Sequence, residues 1–301
     1  MKLETNEFGN TGLQVTRLGY GAMELREGPE DLANDLLNLV LDSGINFIDT
    51  SIDYGDSEKL IGKFISHRRS EFFLASKCGC PIGAGGDHIF TKENITNGIN
   101  QSLKLLKTDY LDLVQLHNPI KNVVEENDVI QTLLEIKKEG KIRFYGLATW
   151  ECFRATSDNA MFLSLEDVVK LAQDVGGSDH GFRFIQLPFN LHFDQAMLLK
   201  NQTVSGTQKS ILDSANELGI GVFTSVPLMQ GKLLEWAKSK PLFTSSSPSV
   251  GLLQFIRSTP GVLAPLIGQK SSTHVNENLE VMKINSLNQS EYDEFLKKLV
   301  S

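Results

Sequence analysis

Four residue types suited to delivering a proton fall in the first half of the chain: Asp49, Tyr54, Lys77 and His117. A free phenol has a pKa near 10, which makes it a poor acid at neutral pH. An adjacent ammonium favours phenolate and lowers that value, and a carboxylate paired to the ammonium holds it in place. An imidazole nearby can hydrogen-bond the phenol or a substrate oxygen. Together the four suit protonation of a carbonyl oxygen as hydride reaches its carbon. Singly, each has a plainer role: Asp49 as a loop or cap residue, Tyr54 in the core, Lys77 on the surface, His117 as a bonded core histidine. The chemistry therefore depends on whether the fold brings them together.

The elements that would do so are legible. Short β-rich runs at Leu18 to Gly21, Asn46 to Asp49, Phe72 to Ser76, Leu111 to His117, Ile142 to Leu147, Phe184 to Leu187, Gly221 to Ser225 and Ala264 to Gly268 are apolar nearly throughout, as parallel strands covered by helices are. Between them lie helix-period stretches: Glu30 to Leu41, Glu58 to Gly62 with Ser57 as its cap, Asn94 to Leu106, Val129 to Lys138, Leu165 to Gln173, Lys209 to Glu217, Val250 to Arg257 and His274 to Met282. Eight strand-then-helix units predict one α/β domain over residues 1–301, a (β/α)8 TIM barrel. Residues 1–16, with the Gly-Asn-Thr-Gly turn at 9–12, predict a hairpin before the first strand, and 288–301 an extra terminal helix. Long connections at 188–206 and 226–249 follow strands, and so fall on the face where barrels bind ligands. In this barrel Asp49, Lys77 and His117 end three successive strands, with Tyr54 in the loop after the second. Strands about 4.8 Å apart crowd all four into one sector of the mouth.

The rival architecture is an open dinucleotide-binding sheet. Gly19-Tyr20-Gly21 after the first strand offers a G-x-G, but Glu24 stands where the third glycine would be needed. Other classes are bounded by composition. A net charge of −8, from 29 basic and 37 acidic residues, argues against a broad nucleic-acid or membrane surface. Apolar runs are too short to span a bilayer, and no charged-then-apolar leader opens the chain. Three cysteines, Cys78, Cys80 and Cys152, make no disulfide framework, so a reducing cytoplasm is expected. Cys78-Gly-Cys80 with His88 invites a zinc reading, but its spacing is wrong and a second ligand pair is missing, so no metal site is expected. The cysteines follow Lys77 directly and are expected near the substrate mouth. The glycine-rich stretch at 81–86 lacks the Lys-Ser/Thr of a phosphate loop and reads as a mobile loop.

The stretch Gly44-Ile-Asn-Phe-Ile-Asp-Thr-Ser-Ile-Asp-Tyr-Gly-Asp-Ser-Glu resembles the signature of the aldo-keto reductases. So do Leu74-Ala-Ser-Lys77, Asp109 to His117, Gly140-Lys-Ile-Arg-Phe-Tyr-Gly, Ile185-Gln-Leu-Pro-Phe-Asn190, and Ile267-Gly-Gln-Lys-Ser with Glu277-Asn278 further on. The resemblance runs in order over essentially the whole chain. It implies an NADPH-dependent barrel enzyme that reduces an aldehyde or ketone, or runs in reverse as an alcohol dehydrogenase. Tyr54 would be the general acid, Lys77 the partner that lowers its pKa, Asp49 the partner of Lys77, and His117 the residue that orients substrate.

The same resemblance implies the cofactor residues. Gln186 would bond the nicotinamide carboxamide, and Gly21, Thr149, Ser225, Leu228, Gly231, Lys232 and Gly268 would also bind the cofactor. Lys270, His274, Glu277 and Asn278 would take the adenosine end, Lys270 and His274 meeting the 2′-phosphate so that NADPH is preferred over NADH. A cap at Ser271 or Ser272 is the local alternative there. Two departures stand out. Ala148-Thr149 replaces the Ser-Asn common in the family, and Ser225-Val-Pro-Leu replaces a stacking Tyr-Ser-Pro-Leu, with Phe223 two residues earlier. The competing function is a regulatory subunit that keeps the site and senses the bound nucleotide, as relatives attached to potassium channels do. The substrate and the oligomeric state are not legible.

Overall fold

A computed structural model describes residues 3–27, 29–81, 86–125, 127–240 and 247–300. The chain opens with an antiparallel hairpin, β1 (Thr5–Glu7) and β2 (Gln14–Thr16), in register Thr5 opposite Thr16. The strand and helix units then follow: β3 (Gly19–Gly21), α1 (Glu30–Asp42), β4 (Phe47–Asp49), α2 (Ser57–Phe64), β5 (Phe73–Cys78), α3 (Lys92–Leu106) and β6 (Leu111–His117). After α4 (Lys121–Glu125) and α5 (Asn127–Lys138) come β7 (Ile142–Ala148), α6 (Leu165–Gly176), β8 (Phe182–Pro188) and the short α7 (Gln195–Leu198). A second hairpin, β9 (Gln202–Val204) and β10 (Thr207–Lys209), precedes α8 (Ile211–Glu217) and β11 (Gly221–Ser225). The chain ends through α9 (Lys232–Lys238), α10 (Pro248–Ser258), β12 (Val262–Ile267), α11 (Ser272–Leu279) and α12 (Gln289–Val300).

Among the described residues, eight parallel strands close a barrel in the order β3, β4, β5, β6, β7, β8, β11, β12, with β12 returning to β3. This is the (β/α)8 TIM barrel, with the expected leading hairpin and terminal helix. All eight barrel strands lie at the expected positions. Differences fall in the connections. Residues 207–209 pair as β10, because their backbone groups meet β9 across the tight turn at Ser205 and Gly206, so the following helix starts at Ile211 with Ser210 as its cap. Ser57 is not a cap but the first residue of α2. Its hydroxyl donates to the Ala22 carbonyl at 2.9 Å and bonds the Thr50 hydroxyl at 2.8 Å, tying the helix to the barrel mouth. Ser271 does cap α11, accepting from the His274 N–H at 3.2 Å. The glycine-rich stretch at 81–86 lies mostly outside the described residues.

Two apolar masses hold the barrel. The larger lies between strands and helices, where the leucine stripe of α1 packs against its neighbours. The smaller closes the barrel floor: Phe8, from the leading hairpin, meets Phe184 at 4.1 Å between ring centroids, and Phe47 stacks on Phe223 at 4.2 Å. The hairpin is thus the plug of the lower end.

Candidate active site

Side chains two apart on a strand share a face, so each inward-facing floor residue has a partner one layer higher. Phe47, Ala75, Leu113 and Phe184 belong to the floor. Two residues on stand Asp49, Lys77, Gln115 and Gln186, all buried. The Lys77 ammonium donates to Asp49 Oδ2 at 2.7 Å and to the Thr50 carbonyl at 2.9 Å. Gln115 Nε2 donates to Gln186 Oε1 at 2.8 Å and lies 3.5 Å from Asp49 Oδ1. Gln115 went unassigned in the sequence although it sits inside a quoted motif; its signal is its place two residues before His117, in the inward phase of the strand.

Tyr54 arrives from the loop after β4. That loop is a pair of turns, Tyr54 N–H to Ser51 O and Ser57 N–H to Tyr54 O, each 3.0 Å. Gly55 allows it: its φ is +53°, and a Cβ there would press Arg26 Cβ at 3.1 Å. The Lys77 ammonium lies 4.8 Å from the Tyr54 ring centroid and interacts with its hydroxyl. The His117 ring stands edge-on to Tyr54, 6.1 Å away. All four residues singled out for proton chemistry thus meet at the strand C-termini.

Their electrostatics differ from expectation in one respect. Burial raises the Tyr54 phenol and outweighs the lowering by Lys77, so its net shift is upward. Burial also works against the Lys77 charge, but the Asp49 carboxylate and the Tyr54 phenol prevail and raise its pKa. Burial pushes Asp49 up, against the pull of Lys77. With two oxygens accepting from the ammonium at short range, the pair is ionised.

His117 faces a second set of groups. Its Nδ1 lies 3.3 Å from Asp53 Oδ2 and 3.2 Å from Cys80 Sγ. Burial would raise Asp53, but its hydrogen bond to His117 and the charge there hold it below the usual carboxylate range. Behind the tetrad, Glu58 of the signature stretch is fully buried and accepts from Ser76 Oγ at 2.6 Å. Burial, opposed by the bond from Ser76, lifts its pKa to about 7.

These groups open into a cleft of about 800 Å³ at the barrel mouth. Gly21, Thr149, Gln186 and Ser225 line its inner part, and Leu228, Gly231 and Gly268 its wall. Thr149 Oγ1 is buried without a hydrogen-bond partner, an unspent polar atom facing the cleft where an amide could meet it. The wall after β11 holds Val226, Met229 and Gln230 at φ near +50°, so this segment is shaped by tertiary contacts rather than local preference. Lys270, His274, Glu277 and Asn278 line the outer end. Lys270 already pairs with Glu24 Oε2 at 3.0 Å, and Glu277 accepts from Ser247 and, at 3.1 Å, from Ser249. Lys232 is exposed at the start of α9 and is not among the cleft-lining residues. Phe223 belongs to the floor and cannot serve as a stacking aromatic in the cleft. Asp53, His88, Asn118 and Trp150 also line the mouth; Asp53 and Asn118 carried no sequence signal of their own, because they lie on loops without a periodic pattern.

Comparison with known proteins turns this geometry into a family. The model of the aldo/keto reductase family matches residues 17–299. The chain belongs to the aldo/keto reductase family. It is an NAD(P)H-dependent oxidoreductase of that kind, which generally reduces carbonyl groups. An uncharacterised oxidoreductase of Bacillus subtilis is 34% identical over 155 residues, which is 49% of this chain and 49% of that protein. The chain thus matches about half the length of that relative. The L-galactose dehydrogenase of Arabidopsis thaliana is 28% identical over 92% of this chain and 88% of its own, and the 6-dehydroglucose reductase of Novosphingobium aromaticivorans 26% over 92% and 90%. Among solved structures, the holo form of an aldo-keto reductase from Bacillus halodurans matches with a TM-score of 0.76 at 22% identity, covering 99% of this chain and 96% of that one. Among the described residues no helix is long and apolar enough to cross a membrane.

Proposed function

We propose that this aldo/keto reductase is an NADPH-dependent carbonyl reductase in which Tyr54 donates the proton. The observation that carries the proposal is the buried Asp49–Lys77 ion pair beside the Tyr54 phenol at the base of the cleft. Burial keeps Tyr54 protonated at neutral pH, so it is a donor at rest. As its proton leaves, the fixed Lys77 charge stabilises the phenolate, and Asp49 holds that charge in place. His117 orients the carbonyl oxygen. Bound nicotinamide dinucleotide supplies the hydride. Thr149, with its unpartnered hydroxyl, and Gln186 are suited to hold the carboxamide, while Lys270 and His274 face the 2′-phosphate.

Two relatives matching about nine-tenths of this chain are named for sugars, L-galactose and 6-dehydroglucose. The polar mouth, with Asp53, Asn118 and Trp150, suits a hydroxylated carbonyl compound of that class. The test is NADPH oxidation across a panel of sugars, aldehydes and ketones, with Tyr54→Phe as control. Turnover lost in the variant supports the reading. Tight NADPH binding without turnover on any panel member would favour the nucleotide-sensing subunit instead.

A further inference from the structure

His117 also belongs, through its Nδ1, to a cluster of metal-ligand types that proton delivery by Tyr54 does not require. One ligand atom each from Asp53, Cys80, His88 and His117 lies within 4.8 Å of every other. The set spans three loops or strand ends. Asp53 follows β4, Cys80 and His88 follow β5, and His117 ends β6.

The chain holds the two β5-loop members by specific contacts. Gly79, at φ +87°, turns the chain directly after β5, and a Cβ there would strike the Phe90 ring at 2.3 Å. The returning end is fastened by Ile89 N–H to Gly79 O at 2.7 Å. Asn94 Nδ2 then bridges both ends, donating to Cys80 O at 3.1 Å and to Ile89 O at 2.7 Å. Cys80 and His88 are thereby brought to the same side of the mouth although they are far apart for a local motif.

The chemistry of the set is that of a divalent ion of zinc's kind. Two imidazoles, a thiol and a carboxylate provide four donors of the N, S and O types that zinc takes in tetrahedral sites. Around such an ion, ligand atoms sit about 3.3 to 3.8 Å apart, as bond lengths of about 2.0 to 2.3 Å require. Here Cys80 Sγ and His117 Nδ1 are 3.2 Å apart, and His117 Nδ1 and Asp53 Oδ2 3.3 Å. The widest separation must close by about an ångström, within the reach of a side-chain rotation. His88 provides an independent sign. Its Nε2 is shielded from solvent and has no hydrogen-bond partner, while its ring stands edge-on to His117 at 4.9 Å. A nitrogen removed from water without a partner is unsatisfied unless something else binds the ring.

We infer that Asp53, Cys80, His88 and His117 form a binding site for a divalent zinc-like ion at the rim of the cleft. The ion replaces the Cys80 thiol proton, which leaves to solvent, and no electron is transferred. The Cys80 thiolate and the Asp53 carboxylate balance its two charges. Four protein ligands leave no open position, so the bound ion is structural rather than a Lewis acid on substrate. No short motif signals this arrangement, because Asp53 and His117 come from other strand ends than Cys80 and His88.

The test uses the full chain with cobalt(II) as a spectroscopic probe and zinc(II) as competitor, and needs no turnover. One equivalent of cobalt should produce a near-ultraviolet thiolate-to-metal band with intense visible bands, and one equivalent of zinc should remove both. The thiolate band should vanish in Cys80→Ser and persist in Cys78→Ser and Cys152→Ser. In His88→Ala, zinc affinity measured against a chromogenic chelator should fall by at least the roughly ten- to hundredfold that losing an outer-shell partner costs. Because His88 lies at the mouth, that variant tests the site even if Cys80→Ser fails to fold. A band absent at one equivalent, unchanged in Cys80→Ser, or of equal affinity in His88→Ala overturns the inference. These readings stand or fall independently of whether any carbonyl compound is reduced.

Discussion

The two ends of the barrel are built from the same strands and do opposite things. At the floor, Phe47, Leu113, Phe184 and Phe223 close on Phe8 in a purely apolar layer. Two residues further along, the same strands carry Asp49, Gln115, Gln186 and Ser225, with Lys77 above Ala75. The floor contributes burial and packing, which are forgiving in direction. The mouth places charge and amide groups where solvation is lost, so every group there needs a partner. Most have one; among those that lack one, Thr149 Oγ1 and His88 Nε2 belong to residues lining the cleft, where a ligand would be gained. The lesson is a division of labour along the strand direction: stability is gathered low so that polar strain can be carried high.

The strongest way to separate the ends is Tyr54→Phe. It should reduce turnover by about 10²- to 10⁴-fold, the range of a lost general acid, while leaving NADPH affinity by fluorescence titration nearly unchanged. Phe8→Ala attacks the other end. It removes a fully buried ring that meets five other aromatics, and should lower unfolding free energy in urea by about 3 to 5 kcal/mol while folded enzyme keeps its rate. Equal loss of rate and stability in this variant would show that the floor also tunes the mouth.

Glu58 sharpens the comparison through pH. Its pKa is lifted by burial from 4.5 to about 7, so the fold binds its proton more tightly than the unfolded chain does. Its stabilising contribution is therefore complete below about pH 4.5 and is lost as pH rises through about 7, on the order of 3 kcal/mol in all. Glu58→Gln, which keeps an acceptor for Ser76, should flatten that decline in urea midpoints measured from pH 4.5 to 8. An unchanged slope would place the proton elsewhere.

The smallest effects belong to the cleft's outer rim. Lys270→Ala should weaken NADPH by about tenfold and NADH hardly at all, the low end for a charge-assisted bond because this lysine is well exposed. Glu24→Gln frees Lys270 from its present partner and should tighten NADPH by up to about fivefold. Parallel titrations of both cofactors decide both variants; equal shifts for NADH would mean that neither residue senses the phosphate.

Much of this was determined by the sequence alone. The barrel strands are apolar runs of the right length at a steady spacing, a signal that survives without tertiary knowledge because covered parallel strands demand it. Asp49, Lys77 and His117 could be placed at strand ends by the same count, and Tyr54 by its spacing from Asp49. Tertiary structure decided the rest. It brought Gln115 between Asp49 and Gln186, a contact across three strands that no local pattern encodes. It reversed the net direction of the Tyr54 shift, because burial depends on the whole barrel while the sequence shows only the neighbouring charge. It paired β9 with β10, removed Lys232 from the cleft and sent Phe223 to the floor, since each depends on which way a connection or a strand face turns. And it gathered Asp53, Cys80, His88 and His117 from separate loops, because spatial convergence at a barrel mouth follows from closing the sheet and not from spacing along the chain.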